Sequence, residues 1–168
     1  MKKLLIAVLV CLLLQGCGQP EVFETMSDQY LVPETPEAQE TSFWLPEGAA
    51  LQVSGGSGEM YLCDDYTVSV QTFPSGDLDA TLRSVTGYGK DRLSLLQWKT
   101  AQGTRTDCAW ASQGEEGDLV ARTLVLDDGN WHYTLPVQAD AKKAAELAAT
   151  WADMFHSFKL GQEEITKG

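Results

Sequence analysis

From Arg105 to Val137 the chain reads as three strand-length runs separated by turn residues, the first and last with apolar residues on one face. Thr106, Cys108 and Trp110 share one face of the first run, which spans Arg105 to Ser112. The second runs from Leu119 to Leu126, and the third places Trp131, Tyr133, Leu135 and Val137 on one face. A period of two marks an extended strand with a buried face. Asp127-Asp128-Gly129-Asn130 joins the last two runs, and Asp-Gly is a strong hairpin signal because glycine accepts the positive φ that tight hairpins demand. Gly114-Glu115-Glu116-Gly117-Asp118 turns the first run back on the second. Strands joined this tightly pair antiparallel, since a parallel pair needs a crossover of a dozen residues or more. The chain is thereby committed to an antiparallel meander.

The flanking segments supply the other layers. Tyr66, Val68 and Val70 alternate as a strand that Pro74-Ser75-Gly76 ends. Leu78, Leu82 and Val85 then follow at helical spacing, with Gly87 as a stop, and Leu93 to Thr100 reads as a further strand. Ala144, Leu147, Ala148, Trp151, Met154, Phe155 and Phe158 recur at three- and four-residue steps, an amphipathic helix with Asp140 as its expected N-cap. Lys159 complements the helix dipole and Gly161 ends the element. By composition Val53-Ser54-Gly55-Gly56-Ser57-Gly58 is a loop, and Phe43-Trp44-Leu45-Pro46 is an apolar cluster expected to dock on the domain. The order strand, helix, four strands, helix predicts an α+β fold: an antiparallel sheet with a short helix and a long C-terminal amphipathic helix packed on it.

That element order, over roughly Met60 to Leu160, resembles the sandwich of the PsbP and Mog1 families. The Asp128-Gly129-Asn130-Trp131 hairpin before a closing helix is also similar to that of small Gram-positive lipoproteins. The resemblance implies the fold and, more loosely, a scaffolding or protein-binding role. It transfers no functional residue.

The N-terminus carries an address. Lys2 and Lys3 precede an apolar run from Leu4 to Leu14, too short to span a bilayer, which takes about 20 residues. Such a run suits the core of a signal peptide. Leu14-Gln15-Gly16-Cys17 follows and resembles the lipobox of bacterial lipoproteins, with Gln15 replacing the more usual Ala or Ser. The resemblance implies cleavage before Cys17 and diacylglyceryl attachment to its sulfur, hence a cell-membrane protein on the extracytoplasmic face. An ordinary signal peptide or an uncleaved anchor are the competing readings. Two acyl chains hold firmly where one is marginal, since each buried methylene contributes about 0.8 kcal/mol.

Charge divides the remainder. The 168 residues carry a net charge of −12. Between Cys17 and Leu82 there are 12 acidic residues and no Lys or Arg, whereas from Arg83 onward there are 12 acidic and 10 basic. A pI near 4.4 argues against nucleic acid, whose phosphates need clustered cations. Gly18 to Thr41 holds Pro20, Pro33, Pro36, five glutamates and one aspartate without periodicity, the composition of a disordered tether. The expected organisation is a signal peptide over 1–16, a lipidated cysteine and acidic tether over 17–41, one α+β domain over 42–161 and a tail over 162–168.

Candidate chemistry is sparse. Once Cys11 leaves with the signal, Cys63 and Cys108 are the cysteines of the domain, and an oxidising compartment predicts a structural disulfide between them. His132 and His156 add a conceivable zinc set with those cysteines, but the spacing matches no zinc-finger pattern. Asp64-Asp65 and Asp127-Asp128 suit turns better than calcium, lacking EF-hand ligand spacing. Gly55-Gly56-Ser57-Gly58 is followed by no lysine and so is no phosphate cradle; nucleophile-elbow, zinc-protease and dinucleotide motifs are also lacking. No cofactor is therefore expected. Trp110, Trp131 and Trp151 fall on core stripes, leaving Trp44 and Trp98 as candidates to line a binding groove. The expected function is a non-enzymatic envelope module that binds a protein partner. The alternatives are a small-ligand or cation-binding lipoprotein and an enzyme acting on envelope polymers through Asp64, Asp65 or His132.

Overall fold

The computed structural model describes residues 36–56, 58–114 and 117–161. The signal peptide, the Leu14–Cys17 motif, the tether up to residue 35 and the tail 162–168 lie outside the described residues. In chain order the elements are β1 (Thr41–Ser42), β2 (Ala50–Gly55), β3 (Gly58–Leu62), β4 (Tyr66–Pro74), α1 (Leu78–Thr86), a 3-10 turn (Lys90–Arg92), β5 (Leu95–Thr100), β6 (Gly103–Gln113), β7 (Asp118–Asp127), β8 (Trp131–Asp140), α2 (Ala144–Ser157) and β9 (Lys159–Leu160). β2 to β8 form one seven-stranded sheet in the order β2-β3-β4-β8-β7-β6-β5, every neighbouring pair antiparallel.

The meander forms as its alternation dictates. The β7–β8 turn is held by its own acids: Asp128 Oδ1 accepts the amides of Asn130 (2.8 Å) and Trp131 (2.7 Å), and Asp127 Oδ1 accepts that of Gly129 (2.9 Å). Gly129, at φ 97°, supplies the positive dihedral a side chain would resist. These bonds fix the β8 register, so Leu124 and Leu126 of β7 and Tyr133, Leu135 and Val137 of β8 bury on one face, with Val125 and His132 on the other.

Each face receives one helix. α1 starts where Asp77 Oδ1 accepts the Ala80 amide (3.1 Å) and stops at Gly87, in the left-handed region at φ 79°. Its Leu82 packs with Val125 and Cys108. α2 lays Trp151, Met154 and Phe155 on the opposite face, against Tyr66, Val68, Leu124 and Leu135. Phe158, directly after the helix, is fully buried there; a side chain of this size contributes about 1.5–3 kcal/mol when buried.

Several sequence expectations need revision. α2 is 14 residues long and begins at Ala144, because Asp140 is the last residue of β8, paired with Leu119. The Asp140 carboxylate instead accepts the Lys142 amide (2.8 Å) in the turn before the helix. The strand expected from Leu93 starts at Leu95, after the 3-10 turn. Part of the segment read as a loop over 53–58 is strand: β2 runs to Gly55 and hairpins into β3 at Gly58. Residues 36–41, expected in the tether, meet the domain: Trp131 Nε1 of β8 donates to the Pro36 carbonyl (2.6 Å), the Gln39 amide donates to Tyr133 Oη (2.9 Å), and Thr41 pairs with Leu160 of β9.

The Cys63–Cys108 disulfide is also corrected: both cysteines are free and buried. Cys63 precedes β4 in the α2-side core, whereas Cys108 lies on β6 under α1. Between β4 and β6 stand β8 and β7, three strand spacings of about 4.8 Å each, while a disulfide needs Cα atoms within about 7 Å.

Candidate functional site

On the α2 face, the open half of the sheet leaves a cleft of about 440 Å³ between the C-terminal half of the helix and β5, β6 and β7. Register assembles it. Trp98 stands directly opposite Arg105, Leu96 opposite Asp107, and Arg105 opposite Leu126. Alternation therefore sends Leu96, Trp98 and Thr100 of β5 to the same face as Arg105 and Asp107 of β6, and as Arg122 and Leu124 of β7. Ala152, Phe155 and His156 of α2 close the other wall.

The two arginines behave differently. Arg122 grips Asp107 in a bidentate pair, Nε to Oδ1 at 2.9 Å and Nη2 to Oδ2, and its guanidinium lies 5.1 Å from the centre of the Phe155 ring. The hydrogen bond to Asp107 raises its pKa above the ordinary arginine value. Arg105 has no acid opposite it. Its Nη1 donates to the Phe155 carbonyl (3.1 Å) and its Nη2 to that of Phe158, satisfying acceptors at the C-terminal end of α2, where the helix dipole favours a cation. Its Nε is buried with no partner, and burial lowers its pKa. With two guanidiniums and one carboxylate the cleft is cationic, in a chain of net charge −12.

The sequence candidates distribute unevenly. Trp98, 39% exposed, is a wall of the cleft, but Trp44 is not: it is 47% exposed, and its amide donates to Ser157 Oγ (2.8 Å) at the end of α2. His132 is buried beneath α1, its Nδ1 2.7 Å from Thr81 Oγ1 and its Nε2 3.7 Å from Asp127 Oδ2. Burial lowers its pKa against the pull of Asp127. His156 is exposed at the cleft, on the opposite side of the sheet. Asp65 faces Lys143 (3.6 Å), and Asp127 and Asp128 serve the β7–β8 turn. Among the described residues no three His, Cys, Asp or Glu side chains gather as a metal site.

Sequence reasoning missed Arg105, Arg122 and Asp107. A signal existed: from Arg92 to Thr106 the chain carries Arg92, Lys99 and Arg105 and no Asp or Glu.

No family model and no curated protein matches the sequence. Solved structures do match the fold. Cyanobacterial PsbP from Synechocystis sp. PCC 6803 superposes with a TM-score of 0.56 at 11% identity, over 72% of this chain and 86% of that one. A point mutant of Mog1 gives 0.50 at 10% identity, over 74% and 93%. A protein of Bacteroides thetaiotaomicron VPI-5482 gives 0.49 at 13% identity over 73% of this chain, which spans only 46% of that protein's length. The mostly antiparallel sheet with two helices is thus the fold of PsbP and Mog1. Identities this low speak for fold alone.

Proposed function

We propose that this protein is a lipid-anchored, extracytoplasmic, non-enzymatic module that binds a protein partner through the cleft beside α2 and the adjoining edge strand β5. One observation carries the reading: Leu96 and Trp98 stand 66% and 39% exposed on the open face of an edge strand, next to a cationic cleft. Large apolar side chains grouped at a sheet edge favour association, and natural proteins ordinarily blunt such edges. The anchor rests on the sequence, from the Leu4–Leu14 run and the Leu14-Gln15-Gly16-Cys17 motif. A small anionic ligand is the second reading, favoured by a cleft volume within the range of small-molecule sites.

Extraction of the full-length protein in mild detergent tests the proposal. One partner should co-purify in stoichiometric amount, and Ala152→Trp, which fills the cleft from an exposed position, should reduce its recovery. Cys17→Ala should move the protein from the membrane to the soluble fraction. A solitary protein, indifferent to the substitution at Ala152, would overturn the partner; membrane retention of Cys17→Ala would overturn the anchor.

A further inference from the structure

Among the described residues the sheet has two unpaired edges, and they are unlike. β2 breaks its register between Leu51 and Val53, the bulge by which natural edges avoid pairing. β5 pairs with β6 residue for residue from Leu95 to Thr100, with no shift, so its outer side is straight and able to take a further strand. Its faces are also unlike. Leu96 and Trp98 point to the open α2 side, whereas Gln97 and Lys99 point to the α1 side.

Charge marks the same edge. Arg92, Lys99 and Arg105 make no ion pair with any described residue, whereas Arg83 pairs with Asp79 and Arg122 with Asp107. Acidic residues instead border the opposite edge, at Glu47, Glu59, Asp64 and Asp65. Two copies joined β5 to β5 would bring like charges together.

Resting on the binding reading above, we infer that β5 receives an extended acidic segment of a partner protein as an added strand. Its apolar side chains lie on Leu96 and Trp98, and its alternate, acidic side chains face Lys99, with Arg92 just before the strand adding to the attraction. Main-chain hydrogen bonds supply the attachment and side-chain alternation the selectivity, as in strand addition generally. Electrostatic attraction speeds encounter and weakens with salt.

The test is an amide-resolved NMR titration of the protein with a short synthetic peptide alternating glutamate and valine, and with its lysine-valine counterpart. The acidic peptide should protect outward β5 amides from exchange and shift the Trp98 indole resonance, and the basic one should do neither. Leu96→Glu and Lys99→Glu, both at exposed positions, should each weaken the acidic peptide about ten-fold or more, and Lys99→Glu should improve the basic one. Equal binding of the two peptides, or no change at β5, overturns the inference. So does the same perturbation by free glutamate, which would mean a small-anion site, or β5 protection that rises with protein concentration alone, which would mean self-association. If Leu96→Glu leaves recovery of a natural partner intact, the binding module stands and this edge is not its docking place.

Discussion

Buried titratable side chains set the most direct tests at the residue scale. Burial raises the Cys108 thiol to about 11 and pushes Cys63 up as well. At neutral pH only about one Cys108 in ten thousand is then thiolate, the form that oxidises. Two buried thiols on opposite faces of the sheet can thus stay unpaired even under oxidising conditions. Iodoacetamide should label both after unfolding without prior reduction and neither in the native state, and a reductant should leave the melting temperature unchanged. Labelling that requires reduction would contradict the fold at these positions. His132 is held neutral, its pKa below the ordinary 6.5. The unfolded chain therefore binds the extra proton first as pH falls, so this contribution to stability is intact above about 6.5 and is lost progressively below it. Melting temperature should fall between pH 7 and 5, and less steeply in His132→Gln; parallel slopes would show that another group titrates. None of this was readable in sequence. A histidine becomes buried only through the β8 register and the Thr81 hydroxyl of α1, 51 residues away. Arg122 and Asp107, 15 residues apart, likewise meet only because β6 and β7 pair as they do.

At the scale of elements, the three strands of the meander were legible because apolar runs of strand length are separated by turns with the right chemistry, even though the middles of β7 and β8 are buried on both faces. Asp128 is the clearest case: its carboxylate takes two backbone amides, the Gln39 side chain (3.2 Å) and Tyr133 Oη (3.1 Å). Asp128→Ala should cost about 1–3 kcal/mol by denaturant unfolding, chiefly through donors left unpaired; a neutral effect would mean that water replaces the carboxylate. β2 was illegible for the opposite reason. All six of its residues are exposed, so no alternation of burial disciplines its sequence, and Ser54 and Gly55 at its end imitate a loop. The two-residue pairing of β1 with β9, extended by the Ser42 hydroxyl donating to the Gly161 carbonyl 119 residues away, has no local pattern to announce it. Trp98 could be named from sequence as groove-lining, but its groove could not: the cleft exists because α2 covers only part of its face of the sheet.

For the whole molecule, topology decides where function can sit. A seven-stranded open sheet has two edges, and the helices cover its middle on both faces. Glu47, Glu59, Asp64 and Asp65 stand in or beside the strands β2 and β3 at one end of the sheet, whereas Arg92 and Lys99 stand in or beside β5 at the other. If the proposed N-terminal anchor holds, such a module would be free to present this edge to a partner. The proposed docking edge is tested most directly in intact cells of the native host by a photo-crosslinking residue placed in turn at Leu96 on β5 and at Val53 on β2, two comparably exposed apolar positions at opposite edges. A discrete protein adduct formed from Leu96 and absent from Val53 is the predicted result. Adducts from both edges alike, or from neither, would contradict it.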